Sequence, residues 1–174
     1  MTFSIAILGS TGSIGKSTLK VLKQDKKYKV KLLTTNNNAD KIFKQAIQFK
    51  VKNVIITNKI KYNKYKSLFK KNNINLYLGL HNIKKILRRK VSYSINAISG
   101  IDGLEPSLNI IKYSKNLAIA NKESIICGWT FLKKELTKHK TGFIPLDSEH
   151  FSIWSLLKNE KKNNIKKIYL TASG

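Results

Sequence analysis

The chain has 174 residues, enough for one domain with a real core. Its 41% hydrophobic content suits a globular protein, no apolar run is long enough to span a bilayer, and the first residues lack a basic leader. Charge is extreme, with 34 Lys+Arg against 9 Asp+Glu and a net +25. That excess would suit a polyanion partner, but Arg88 and Arg89 are the only arginines and the lysines form no stripe interleaved with aromatics. Compositional drift toward Lys, Asn and Ile explains the charge better than nucleic-acid binding. The single cysteine, Cys127, excludes an internal disulfide, fits a reducing compartment and reads as a small core residue on a helix.

In chain order, strands and helices alternate. Phe3 to Leu8 is a short apolar run, the mark of a buried parallel strand. Ile14 to Gln24 has a helical apolar face of Ile14, Leu19, Val21 and Leu22. Val30 to Thr35 is the next strand, and Asp40 to Lys50 a helix with Ile42, Phe43, Ala46, Ile47 and Phe49 inward. Val54 to Ile56 is a strand, Tyr62 to Lys71 a helix, Leu76 to Leu78 a strand and Asn82 to Arg89 a short basic helix. Strands at Tyr93 to Ile98, Leu117 to Ile119 and Phe143 to Ile144 alternate with helices at Leu104 to Tyr113, Ser124 to Lys138 and Glu149 to Leu157. Ile168 to Leu170 opens a last strand, and Thr171 to Gly174 is turn chemistry leading out of it. The alternation predicts an α/β fold, a Rossmann-type doubly wound parallel sheet.

Gly9-Ser10-Thr11-Gly12-Ser13-Ile14-Gly15 joins the first strand to the first helix. Such a loop lets a phosphate approach the backbone, and the helix start offers unpaired N–H groups and a positive dipole. A tight turn without ligand is the plainer alternative. A nucleotide-hydrolase P-loop is excluded, because Gly15-Lys16-Ser17 would need glycine where Ser10 stands. At the end of the second strand, Thr34-Thr35-Asn36-Asn37-Asn38 lacks the carboxylate that would hold a ribose 2′-hydroxyl, which favours NADP(H) over NAD. Asp40 falls in the first turn of the following helix.

Ala120-Asn121-Lys122-Glu123-Ser124 and Pro145-Leu146-Asp147-Ser148-Glu149-His150 each follow a strand, where open α/β sheets bind ligands. Asp147 and Glu149 could place two oxygen ligands on one divalent ion. Both segments also read as helix starts, capped by Asn121 and by Asp147 or Ser148.

The order of these motifs, with Ala97-Ile98-Ser99-Gly100-Ile101-Asp102-Gly103-Leu104 and Leu170-Thr171-Ala172-Ser173-Gly174, closely resembles the 1-deoxy-D-xylulose 5-phosphate reductoisomerase family over the whole chain. The resemblance implies an NADPH-dependent enzyme of isoprenoid synthesis. It would rearrange 1-deoxy-D-xylulose 5-phosphate through an aldehyde and reduce that to 2-C-methyl-D-erythritol 4-phosphate. It implies that Thr11, Gly12, Ser13 and Ile14 contact the cofactor phosphates, that Asn36, Asn37 and Asn38 meet the adenosine side, and that Asn121 and Glu123 touch NADPH. Lys122, Ser148, Glu149 and Ser173 would meet the phosphorylated sugar substrate, with Lys122 and Glu149 catalytic, and Asp147 and Glu149 would hold Mg²⁺ or Mn²⁺. The family commonly has Gly-Lys-Asn or a similar triplet where Asn36-Asn37-Asn38 stands. It also continues past Gly174, supplying a third metal carboxylate, more of the phosphate pocket, a mobile loop and a helical domain. The expected organisation is therefore a cofactor domain over 1–146 and the beginning of a catalytic domain over 147–174. These 174 residues alone are expected to turn over little or nothing. The full-length enzyme is expected to be a homodimer in the cytoplasm or an equivalent compartment, without a membrane or nucleic-acid partner. The competing reading is a stand-alone cationic nucleotide- or nucleic-acid-binding remnant.

Overall fold

A computed structural model describes residues 2–160 and 164–169. Seven parallel strands form one sheet in the order β4-β3-β2-β1-β5-β6-β7. They are β1 (Phe3–Leu8), β2 (Tyr28–Thr35), β3 (Asn53–Ile56), β4 (Asn75–Leu78), β5 (Val91–Asn96), β6 (Ser114–Ile119) and β7 (Gly142–Pro145). The helices are α1 (Ser13–Leu22), α2 (Ala39–Gln48), α3 (Lys59–Lys71), α4 (Ile83–Ile86), α5 (Leu104–Ile111), α6 (Lys122–Lys138) and α7 (Ser148–Leu157). The chain steps outward from β1 to β4, then returns to the other side of β1 for β5. That reversal puts the ligand-binding crevice of a doubly wound sheet at the carboxyl ends of β1 and β5.

The sheet has apolar side chains on both faces, as buried parallel strands require. In β1, Ile5 and Ile7 join one core with Leu19 of α1, Ile42 and Ala46 of α2 and Phe69 of α3. Ala6 and Leu8 point the other way, into a core with Ile110 and Ile111 of α5 and Leu132 and Leu136 of α6. The β1–β2 register shifts between Ile5 and Ala6, whose partners are Val30 and Leu32. The extra residue, Lys31, is thereby left exposed.

Several sequence expectations are corrected. Asn82 to Arg89 is not one helix: a 3-10 turn at Leu80–Asn82 leads into α4, which ends at Ile86. Ile47 is 48% exposed, because α2 turns its other side to the sheet through Ile42 and Ala46. Cys127 is exposed on the outer side of α6, whose buried positions are Ser124, Gly128, Leu132 and Leu136. Ile168 and Tyr169 are exposed and belong to no strand, since no described strand runs beside them; Leu170 lies outside the described residues. Ile14 and Val21, expected inward on α1, are 41% and 65% exposed. They border a trough of about 560 Å³ floored by Tyr93, Ile95, Ala118 and Ile144, where the sheet extends beyond α1 without a covering helix among the described residues.

Candidate functional site

The loop after β1 is held by hydrogen bonds from β2 and α2. Gly9 N–H donates to Thr34 Oγ1 at 3.0 Å, and Ser10 N–H to the Thr34 carbonyl at 3.0 Å. The Ser10 hydroxyl donates to Gln45 Oε1 at 2.8 Å, while Gln45 Nε2 donates back to the Ser10 carbonyl at 2.9 Å, all buried. Gly9 has φ of +75°, in the left-handed region where glycine carries no Cβ penalty. Gly12 precedes α1 and no side chain caps the helix, nor is there an acid in its first turn. The first-turn N–H groups are therefore open to an anion.

A cleft of about 390 Å³ lies in front of this loop. Gly9, Thr11 and Gly12 form one wall, Thr34 to Asn38 with Thr57 a second, and Ala97, Ile98, Ser99 and Asp102 a third. Of the residues expected to touch cofactor phosphates, Thr11 and Gly12 line the cleft, and the Thr11 hydroxyl is tied to Thr35 at 2.7 Å. Ser13 and Ile14 instead border the apolar trough, leaving their backbone as the part near the loop. Asn36, Asn37 and Asn38 all line the cleft. Asp40 sits in the first turn of α2 and accepts the Tyr65 hydroxyl at 2.5 Å, outside the cleft lining. That bond to a carboxylate is the main reason the Tyr65 hydroxyl titrates above its ordinary range.

Sequence reasoning overlooked Gln45 and Asn96. Asn96, fully buried, donates to the Gly103 carbonyl and the Ser107 hydroxyl and accepts from Ile98 N–H. It thereby shapes the 97–103 wall. The available signal was a lone amide inside an otherwise apolar stretch: Gln45 beside Ile42 and Ala46, and Asn96 at the end of a strand.

A second group of polar residues gathers at the ends of β6 and β7. Asn121 caps α6, accepting Ser124 N–H at 3.1 Å and donating to the Ile98 carbonyl at 2.7 Å. Its amide is thus committed to the protein, and Lys122 and Glu123 stand exposed in the first turn of α6. Leu146 N–H donates to the Ile119 carbonyl at 2.8 Å, which brings Asp147 out beside that turn. Asp147 caps α7 through Oδ1, which accepts His150 N–H at 2.9 Å and lies 2.6 Å from His150 Nδ1. Partial burial works to raise the Asp147 carboxyl, but these bonds and the His150 charge outweigh it and hold it below the usual range. Glu149 is also lowered, first by its own backbone N–H, then by the Ser148 hydroxyl at 2.9 Å and by the charge of Lys122. Lys122, Asp147, Ser148 and Glu149 therefore share one corner.

Asp147 Oδ2 is the only buried side-chain polar atom without a hydrogen-bond partner among the described residues. A carboxylate oxygen shielded from water and without a partner, next to the exposed Glu149 carboxylate, suits a cation, so the donor set fits a hard divalent ion. No cluster of three His, Cys, Asp or Glu side chains occurs among the described residues, which offer Asp147 and Glu149 as the candidate pair. Ser173 lies outside the described residues.

The sheet order, the uncapped glycine loop and the crevice at the strand reversal define a Rossmann-type α/β protein. Residues 5–128 match the family model described as 1-deoxy-D-xylulose 5-phosphate reductoisomerase, and residues 143–174 match that of its C-terminal domain. The chain belongs to the 1-deoxy-D-xylulose 5-phosphate reductoisomerase family. It is 55% identical to the reductoisomerase of Pelagibacter ubique (strain HTCC1062) over 176 residues, which cover 98% of this chain and 45% of that one. With the Thermotoga maritima reductoisomerase it is 38% identical over 172 residues, 98% of this chain and 43% of that one. The chain thus spans under half the length of these curated relatives. Among solved structures it is similar to the Zymomonas mobilis reductoisomerase in complex with NADPH, with TM-score 0.79, 29% identity and coverage of 86% and 40% of the two chains. It is equally similar to a DOX-P reductoisomerase in complex with NADPH, fosmidomycin and magnesium, with TM-score 0.80, 29% identity and coverage of 88% and 38%. No helix among the described residues is long and apolar enough to cross a membrane.

Proposed function

We propose that this chain carries the NADPH-binding part, and the first portion of the metal and substrate site, of a reductoisomerase that converts 1-deoxy-D-xylulose 5-phosphate to 2-C-methyl-D-erythritol 4-phosphate. The cofactor part is residues 1–146 and the catalytic part begins at 147. The observation that carries this reading is the cleft itself, where an uncapped, acid-free helix start faces a carboxylate-free asparagine triplet. The whole enzyme works as a cytoplasmic homodimer.

When bound, the nicotinamide supplies hydride and the divalent ion polarises neighbouring substrate oxygens. The loop at Thr11 to Ile14 holds the cofactor phosphates through backbone N–H groups. Asn36 to Asn38 seat the adenosine end, and Glu123 contacts the cofactor from the α6 turn together with the backbone of Asn121, whose side-chain amide is bonded to Ser124 and Ile98. Asp147 and Glu149 hold Mg²⁺ or Mn²⁺, with Asp147 oriented by His150. Ser148, Glu149 and Ser173 meet the phosphorylated sugar. Lys122 brings a positive charge to the oxygen that gains negative charge in the reaction.

Titration of the purified chain with NADPH, followed by nicotinamide fluorescence, tests this. Saturable binding is expected, with NADH weaker and no NADPH oxidation by the 174 residues alone. No binding at about millimolar NADPH, equivalent to about −4 kcal/mol, would overturn the reading.

A further inference from the structure

We propose that Asn58 is a positioning residue that sets cofactor specificity, turning the Asn37 amide so that its NH₂ group faces the cleft and selects a 2′-phosphorylated dinucleotide. This rests on the NADPH reading above and deepens it.

Asn58 stands at the carboxyl end of β3 and caps α3, its Oδ1 accepting Lys61 N–H at 3.0 Å. A backbone N–H can only donate, so the Asn58 amide has one orientation and its Nδ2 is what remains. That Nδ2 donates to Asn37 Oδ1 at 2.8 Å. A donor can be received only by an acceptor, so the Asn37 amide is fixed in turn. Its own NH₂ is left over, on a residue that lines the cleft. The neighbouring pair has the same sense, with Thr57 Oγ1 donating to Asn36 Oδ1 at 2.9 Å. Each carbonyl oxygen is thereby turned toward its β3-side donor, which leaves the two NH₂ groups as the donors at the end of β2.

A ribose 2′-hydroxyl is recognised by an acceptor, usually a carboxylate, whereas a 2′-phosphate accepts hydrogen bonds and carries charge that strengthens them. Asp40, the nearest acid in sequence, is bonded to Tyr65 instead. Among the described residues the one carboxylate lining the cleft, Asp102, belongs to the β5 wall. Asn36-Asn37-Asn38 can therefore discriminate without a lysine, provided the amides cannot turn over. The α3 cap is what stops Asn37 from doing so.

The test measures NADPH and NADH dissociation constants for the chain and for two variants. Asn58→Asp keeps a good cap but leaves only acceptor oxygens, so Asn37 must reverse and show its carbonyl oxygen to the cleft. NADPH binding is expected to weaken by about tenfold or more, with NADH changed by less than about twofold. Asn58→Ser keeps the cap without adding charge and without reaching Asn37, and the NADPH:NADH preference is expected to fall about threefold. Retention of the original preference in both variants, or equal loss for both dinucleotides, would overturn the positioning role. If the unaltered chain binds neither dinucleotide, the NADPH reading fails and this inference with it. If it prefers NADPH and the variants do too, only the role of Asn58 fails.

Discussion

Two glycines, Gly12 in the β1–α1 loop and Gly15 in the first turn of α1, answer to different demands, and their alanine variants separate fold from function. A Cβ on Gly15 would lie 2.5 Å from the Gly9 carbonyl oxygen and 2.6 Å from Ser10 Cα, both backbone atoms that cannot rotate aside. Gly15→Ala is expected to cost about 2 kcal/mol or more in denaturant unfolding, since packed interiors resist added volume. A Cβ on Gly12 meets nothing nearer than 3.5 Å, and its φ of −72° suits any residue. Gly12→Ala should therefore unfold within about 0.5 kcal/mol of the original chain. The same methyl stands at the anion-binding face, so NADPH affinity should fall by about tenfold or more, read by fluorescence titration. Gln45 makes a third case, reached through its neighbours. Removing it leaves the buried Ser10 carbonyl without this partner, so Gln45→Ala should cost about 2 kcal/mol and loosen the loop. The glycine spacing was legible in the sequence because phosphate approach restricts residue type at fixed intervals. Gln45 was not, because a single polar position in an amphipathic helix carries no mark of the distant carbonyl it serves.

At the scale of elements, the strands were the most readable part. Runs such as Ile5 to Leu8 and Val54 to Ile56 must be apolar on both faces, and that leaves a plain signature. Helix faces were less readable, since Ile14, Val21 and Cys127 depend on which part of the sheet is covered, and that is a tertiary property. The α7 helix is a sharper case, because it has no buried residue and so rests heavily on its cap. The sequence allowed Asp147 as either cap or metal ligand, and its two oxygens divide these tasks: Oδ1 caps, while Oδ2 has no partner. Because the folded Asp147 carboxyl titrates below its unfolded range, its contribution is complete above about pH 4 and is lost as pH falls through the lower folded value. Far-UV circular dichroism should show helix loss on acidification below that point. Asp147→Asn retains a capping oxygen and should flatten this part of the titration, whereas Asp147→Ala should cost about 1 kcal/mol at neutral pH.

For the whole molecule, charge and apolar surface oppose one another. The chain carries a net +25, so two copies repel at low ionic strength. Against this stands the trough over Tyr93, Ile95, Ala118 and Ile144, bordered by Val21 at 65% exposure, an apolar area of the kind that drives association. Repulsion between surface charges is screened over about 10 Å at 0.1 M salt and about 3 Å at 1 M, while burial of apolar surface is not screened. Self-association of the 174-residue chain should therefore rise with sodium chloride in sedimentation velocity. Association through ion pairs would instead weaken with salt. Val21→Lys places a charge at the rim of the trough without touching the β1–α1 loop or the asparagine triplet, so it should reduce association at high salt and leave NADPH affinity within about twofold. Unchanged association in that variant would move the contact away from the uncovered face of the sheet, toward the exposed apolar side of α6 at Ile126, Trp129 and Phe131.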